Sequence, residues 1–154
     1  LFILDVPFEY NWMINDRPVR AFGDFAINFD ADQRAAKWGR PDLDGENLAW
    51  HVGFQYGKAT NPGEWDARVF YQSIGAFALD PNLVDSDLFD SRTNMEGFAA
   101  SFNYALGAAT QLTVTAASGD RKNRTIVAPG SGDIGANNAL EDYWLLQTHL
   151  NLKF

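Results

Sequence analysis

The chain of 154 residues has no cysteine, only two methionines and no long run of apolar residues. Without cysteine it can hold neither a disulfide framework, nor a cysteine-ligated zinc ion, nor a thiol nucleophile. Because no run of about 18 apolar residues occurs, the sequence predicts no transmembrane helix. This second absence does not exclude a membrane protein, since a membrane-spanning β-strand is apolar only at every second position.

Basic residues are also scarce: 12 Lys and Arg stand against 20 Asp and Glu, which gives a formal charge of −8. Nucleic-acid binding requires clustered Lys and Arg that neutralise phosphates. The one basic cluster, Arg121, Lys122 and Arg124, fits a short solvated loop. We therefore exclude nucleic acid as a partner.

What the sequence does contain is a repeated alternation of apolar and polar residues with a period of two, which predicts β-strands. The alternating segments are residues 2–12, 19–30, 47–58, 65–72, 97–106, 111–116 and 143–154. Short turns near residues 16, 61 and 108 alternate with long polar loops at 31–46, 77–95 and 119–141. No segment has a convincing helical period, although 31–38 could hold a turn of helix.

The segments predict an all-β, antiparallel transmembrane β-barrel. Most run about 10–12 residues, which matches a strand that crosses a bilayer at a tilt, whereas soluble strands average about 5–6 residues. Strict alternation of short turns and long loops is typical of outer-membrane barrels, which have short periplasmic turns and long extracellular loops. A soluble sandwich or ligand-binding barrel remains the alternative, because alternation alone fits any half-buried antiparallel sheet.

Aromatic residues occur at two levels on the apolar side of the predicted strands. Tyr and Trp favour membrane–water interfaces because their rings are apolar with a polar edge. The predicted interface aromatics are Tyr10, Trp12, Trp50, Tyr56, Trp65, Tyr71, Tyr104, Trp144 and Phe154. Two such levels with aliphatic residues between them favour a bilayer over a soluble core.

The opposite side of each strand is polar and predicts a hydrophilic lumen. The predicted pore-lining residues are Glu9, Arg20, Asp24, Asn28, His51, Gln55, Asp66, Arg68, Gln72, Gln147 and His149. Four apolar residues interrupt this side, and an in-folded loop would cover them: Ile3, Phe22, Phe70 and Leu145.

Both the first and the last predicted strand run towards the side of the tight turns. Single-chain bacterial barrels have even strand numbers and periplasmic termini, so we expect residues 1–154 to be the C-terminal portion of a larger barrel domain whose N-terminal strands are missing. Pro7 weakens the case for the first strand, because it cannot donate to a strand ladder.

The C-terminal segment Tyr143–Phe154 resembles the closing strand of bacterial outer-membrane porins. The stretches Asn61–Trp65, Asp80–Asp87 and Thr93–Gly97 are similar to segments of a porin family of Gram-negative bacteria. The resemblance implies a barrel of about sixteen strands, often trimeric, integral to the outer membrane and in contact with its lipid and lipopolysaccharide. It also implies that Gln147, Leu152 and Phe154 form the signal read by the barrel-assembly machinery, with Leu152 in place of a second aromatic residue and His149 where Gly is common.

Candidate chemical sites are few. Asp80, Asp85, Asp87 and Asp90 form an acidic loop that could bind Ca²⁺ weakly, but it lacks the Gly and terminal Glu of an EF-hand, so a solvated loop is the better interpretation. The sequence predicts no other metal site, because His51 and His149 lack a third ligand at a recognisable spacing. No Ser/His/Asp set has a catalytic context, so we predict neither an enzyme nor a cofactor.

The sequence therefore predicts a channel for passive diffusion of small hydrophilic solutes or ions. Arg20 and Arg68, facing Asp24, Asp66 and Glu9, are the candidates for ion selectivity through the local field; mutual neutralisation is the alternative. The competing hypothesis is a non-conducting barrel that serves as a structural anchor or surrounds a partner such as an electron carrier.

Overall fold

A computed structural model describes residues 1–84, 88–89, 92–126 and 141–153. It contains one seven-stranded antiparallel sheet in which each strand lies next to the one that follows it in the chain. The strands are β1 (Ile3–Ile14), β2 (Arg17–Asn28), β3 (Leu48–Gly57), β4 (Trp65–Ile74), β5 (Met95–Gly107), β6 (Thr110–Arg121) and β7 (Asp142–Leu152). The prediction of an all-β fold with seven antiparallel strands is confirmed.

The first turn and the first strand follow directly from residue type. Asn15 and Asp16, with φ of 48° and 59°, form the two-residue connection between Ile14 and Arg17. Asn and Asp tolerate this left-handed conformation, which matches the twist of a hairpin. Pro7 lies within β1, where it is tolerated because β1 is an edge strand whose other side has no strand partner in the described sheet.

The connections divide the sheet into two ends. Residues 15–16, 58–64 and 108–109 form the tight-turn end. The described parts of the three long connections, residues 29–47, 75–84, 88–89, 92–94, 122–126 and 141, lie beyond the other end of the strands, which we call the loop end. The alternation of short and long connections predicted from the sequence is therefore present. It brings every long connection to one end of the strands.

The 31–46 region contains more helix than the sequence predicted. Helix α1 (Ala31–Lys37) occupies its start and a 3₁₀ turn at Pro41–Leu43 follows. Ala31 and Ala35 are its buried residues, and they pack with Phe77 of the β4–β5 loop. Two alanines four residues apart are enough to bury this short helix but too few to produce a recognisable helical period.

The two faces of the sheet differ in chemistry and in what covers them. The apolar face carries the alternating large hydrophobic side chains, among them Phe8, Trp50 and Leu146, which are exposed. The polar face carries the charged and amide side chains, and the buried clusters lie on it, beneath the loops. Burial is therefore the reverse of that in a soluble sheet, where the apolar face is covered.

Within the described residues, no helix has the length and apolar character needed to cross a membrane.

β1 and β7 stand at opposite ends of the strand order and are not paired with each other, so the described sheet is open.

Candidate functional site

The strand register brings the predicted pore-lining residues onto one continuous face. Residues opposite each other in an antiparallel pair point to the same side of the sheet. Asp24 is opposite His51, and His51 is opposite Gln72. The same relation extends through the other pairs to include Glu9, Arg20, Asn28, Gln55, Asp66, Arg68, Gln147 and His149. This polar face is the candidate functional site.

An arginine–phenylalanine cluster lies at the centre of the polar face. The Arg68 guanidinium carbon lies 4.5 Å from the centre of the Phe22 ring and 4.9 Å from that of Phe70. Arg20 lies over the same Phe22 ring at 4.9 Å. Cation–π attraction orients both guanidinium groups, so Phe22, buried in a face of polar residues, acts as a platform for two cations.

Gly53 makes room for this cluster. It lies between Phe22 and Phe70 in the register, whose ring centres are 6.4 Å apart. A Cβ at Gly53 would lie 2.5 Å from the Phe70 Cβ and 2.6 Å from the Phe22 Cζ. Because real Cβ atoms do not approach other atoms so closely, only glycine lets the two rings meet above β3.

The charged residues of the polar face make different kinds of contact. Arg20 forms an ion pair with Glu9 at 3.3 Å. Asp66 instead accepts a hydrogen bond from the Asn103 side-chain amide at 2.8 Å. The structure thus pairs Arg20 with Glu9 and places Arg68 over two aromatic rings.

The two histidines lie in different surroundings. His51 packs beside Phe22 and Phe70, with ring centres 5.9 and 6.0 Å away. His149 lies on β7, with its Nε2 3.4 Å from the Gln147 side-chain oxygen. Across the described part of the chain, no group of three or more His, Asp or Glu residues could hold a metal ion.

The β4–β5 loop folds back onto the polar face. Leu79 and Val84 pack beside Ile3 and Ile74, while Phe89 packs with Tyr143. Phe70 and Leu145 adjoin the Phe89 cluster. Three of the four apolar exceptions on the polar face, Ile3, Phe70 and Leu145, therefore lie beneath an in-folded loop, and Phe22 is covered by the arginines.

Hydrogen bonds fix the start of this loop, which we define as the 75–84 segment. Asn28 is fully buried and donates its side-chain N–H to the Phe77 carbonyl at 2.6 Å. Arg34 of α1 donates to the Leu79 carbonyl at 3.0 Å, and Thr93 donates to the Ala76 carbonyl at 3.1 Å. The predicted pore-lining residue Asn28 thus anchors the loop.

The predicted interface aromatics lie on the apolar face in two groups. At the tight-turn end Tyr10 contacts Trp12 at 5.6 Å, and Tyr56 contacts Trp65 at 5.7 Å between ring centres. At the loop end Trp50 contacts Tyr71 at 5.5 Å. Tyr104 lies beside Trp65 in the register, and Trp144 lies at the loop end of β7. Phe154 lies outside the described residues.

The remaining predicted motifs are only partly described. Leu152 pairs with Thr110 and is exposed on the apolar face, whereas Gln147 lies on the polar face. Of the acidic loop, Asp80 accepts hydrogen bonds from the backbone and side chain of Asn82, as in a local turn. Asp85, Asp87 and Asp90 lie outside the described residues.

In the connections between strands, charged side chains interact with groups only a few residues away in the sequence. The Glu64 carboxylate accepts the backbone N–H groups of Asn61 at 2.8 Å and Thr60 at 3.1 Å, and the hydrogen bonding with Asn61 is the main cause that lowers the pKa of Glu64. In the β2–β3 connection, the hydrogen-bonded Arg40 guanidinium lowers the pKa of Asp42. Asp42 is exposed and Glu64 is half-buried, and both carboxylates stabilise turns.

Sequence reasoning missed the loop residues that cover the polar face. Leu79, Leu83 and Phe89 belong to a stretch without periodicity, so no pattern assigned them a side. The available signal was indirect: four apolar residues on an otherwise polar face require an apolar cover.

Comparisons with protein-family models, with curated proteins and with solved structures found no match for this chain.

Proposed function

We propose that the chain is part of a bacterial outer-membrane β-barrel whose polar face lines a pore for passive diffusion of small hydrophilic solutes or ions. The observation that carries this proposal is the exposed apolar face. Trp144 is 81% exposed, Leu146 65% and Phe98 61%. Contiguous apolar surface of this kind marks an interaction with membrane or protein, and here six of the seven strands contribute exposed large apolar side chains to it.

The positions of Tyr and Trp on the apolar face support a bilayer as the environment of that face. Trp50 and Tyr56 lie six residues apart on β3, which corresponds to about 20 Å along a strand. The residues between them on the same face, Val52 and Phe54, are apolar and exposed. Two Tyr/Trp rows with an apolar band between them match the interfaces of a bilayer. A soluble barrel offers no reason for such a band on its outside.

The open edges of the sheet support a larger barrel. An unpaired strand edge in lipid costs several kcal/mol per unsatisfied backbone group. We therefore propose that β1 and β7 pair with further strands of the natural protein, in a barrel of about sixteen strands. Lipid and lipopolysaccharide would contact the apolar face.

One observation favours the non-conducting alternative. The β4–β5 loop packs onto the polar face through Leu79, Leu88 and Phe89. If loops from the rest of the barrel did the same, they would fill the lumen and leave a structural or partner-enclosing barrel. The two functions share the membrane barrel and differ only in whether ions pass.

The test is single-channel conductance of the full-length protein, refolded and inserted in a planar bilayer. A wide pore gives stable conductance steps on the order of a nanosiemens, and a salt gradient gives its ion preference from the reversal potential. Correctly inserted protein that stays silent would refute the diffusion pore and leave the non-conducting barrel. Protein that remains soluble without detergent would refute both.

A further inference from the structure

A cavity of about 440 Å³ lies between the polar face and the 75–84 segment. Ile3 and Ile74 form apolar walls on the sheet side, while Leu79 and Leu83 form the wall on the loop side. This volume lies within the range of about 300–1,000 Å³ typical of small-molecule sites. The hydrogen bonds of Asn28 and Arg34 to the segment hold this wall in place, so the cavity is preformed.

Polar groups line one side of this cavity. Asp24, His51 and Gln72 lie side by side across β2, β3 and β4, and Asp5 of β1 lies at the exposed margin. One carboxylate oxygen of Asp24 and the side-chain nitrogen of Gln72 are buried without a hydrogen-bond partner. Such groups are costly to bury unsatisfied, so the cavity offers one acceptor and one donor to an occupant.

The cavity lining contains the acidic side chains of Asp5 and Asp24. Among the described residues that line it there is no Lys or Arg. The nearby Arg20 is paired with Glu9, and Arg68 stacks on Phe22 and Phe70. The two aspartates therefore lie on the polar side of a space whose opposite wall is apolar, and an occupant should carry positive charge at one end and an apolar body at the other.

We propose that this cavity binds a small organic ammonium ion with an apolar body. The ammonium group donates charge-assisted hydrogen bonds to Asp24 and Asp5. The body packs against Ile74 and Leu79, and an oxygen on that body can accept from Gln72. This inference deepens the proposed function by naming a solute class, and it rests on that function for access from the pore.

The test measures binding to the full-length protein in detergent micelles by isothermal titration calorimetry. The probes are phenethylammonium, its neutral analogue 2-phenylethanol and the anion phenylacetate. Phenethylammonium should bind at least about tenfold more tightly than either analogue, since a hydrogen bond to a charged group contributes about 1.5–3 kcal/mol. Equal binding of the ammonium and the alcohol would overturn the proposal.

Isosteric variants locate the site. Asp24→Asn and Asp5→Asn, made separately, should each weaken phenethylammonium binding about tenfold and leave 2-phenylethanol unchanged. Asp16→Asn is the matched control, because Asp16 is an exposed residue of the β1–β2 turn, at the opposite end of the sheet and outside the cavity lining, and should leave binding intact. If neither aspartate variant weakens binding while circular dichroism shows native β-structure, the proposal is wrong.

The outcome is separable from that of the channel. Binding is measured without a membrane potential, so a silent barrel that binds phenethylammonium refutes the pore and keeps the site. A conducting barrel that binds phenethylammonium no more tightly than 2-phenylethanol refutes the site and keeps the pore.

Discussion

The guanidinium carbon of Arg68 lies 4.5 Å above the Phe22 ring, although the two residues are on strands separated by β3. The contact spans that intervening strand because Gly53 lies between Phe22 and Phe70 and has no side chain. The lack of a side chain at Gly53 thus allows the Arg68 guanidinium to lie over the Phe22 ring on the polar face. This geometry relates the packing of the sheet to its proposed selectivity.

Replacement of that glycine should destabilise the fold. Gly53→Ala places a Cβ against the Phe70 Cβ and the Phe22 ring, and overpacking of this kind typically costs about 1–3 kcal/mol. The measurement is urea unfolding of refolded protein in micelles. Gly45→Ala is the control, since a Cβ there meets nothing within 4 Å. Equal stability of the two variants would contradict the close approach at Gly53.

Removal of the Arg68 charge should shift ion preference towards cations. Arg68→Met keeps the length of the side chain, and a fixed charge near a pore sets selectivity through its local field. The reversal potential in a salt gradient measures the shift. Arg17→Met is the control, because Arg17 lies over Trp65 at the tight-turn end and outside the polar face. An unchanged reversal potential for Arg68→Met would place Arg68 outside the conducting path.

The strands and their faces could be predicted from the sequence because period-two alternation is a local property. Asp24, His51 and Gln72 were assigned to one side by counting residues, and the register aligns them. The pairing of strands joined by short turns could also be predicted, because such turns place consecutive strands side by side and antiparallel.

The contacts across the polar face could not be predicted. The sequence pattern showed Phe22 only as an apolar residue on an otherwise polar face. Its contact with Arg68 depends on the register of both the β2–β3 and the β3–β4 pairs. The Asn28–Phe77 hydrogen bond joins residues 49 apart through a loop without a pattern. Such long-range contacts depend on loop packing, which residue type and spacing do not specify.

Loss of that hydrogen bond should release the 75–84 segment. Asn28→Ala removes the fully buried side-chain N–H that donates to the Phe77 carbonyl, and an unsatisfied buried partner costs about 1–3 kcal/mol. We expect lower stability and faster proteolysis within the segment. Asn82→Ala serves as the control, because Asn82 is exposed and bonds only locally to Asp80. Equal proteolysis of the two variants would show that Asn28 does not anchor the segment.

The Glu64 turn should weaken in acid. Because its pKa is lowered below the ordinary value of 4.5, the stabilisation is complete above that value and is lost as the pH falls through the lower, folded-state pKa. The amide resonances of Thr60 and Asn61 should titrate with a midpoint below 4.5. This titration should disappear in Glu64→Gln. A midpoint at or above 4.5 would show that the carboxylate gains nothing from the two N–H groups.

The absence of native cysteine allows a direct test of which face meets lipid. Ala100 and Ser101 are neighbours on β5 and point to opposite faces, the apolar and the polar one. In lipid vesicles, Ser101→Cys should react with a membrane-impermeant maleimide, whereas Ala100→Cys should be at least about tenfold slower, because thiolate formation is disfavoured in an apolar environment. A bimane label at Ala100→Cys should in turn be quenched by brominated lipid. Fast maleimide labelling at both positions in vesicles would place the apolar face in water, and the membrane barrel would have to be abandoned.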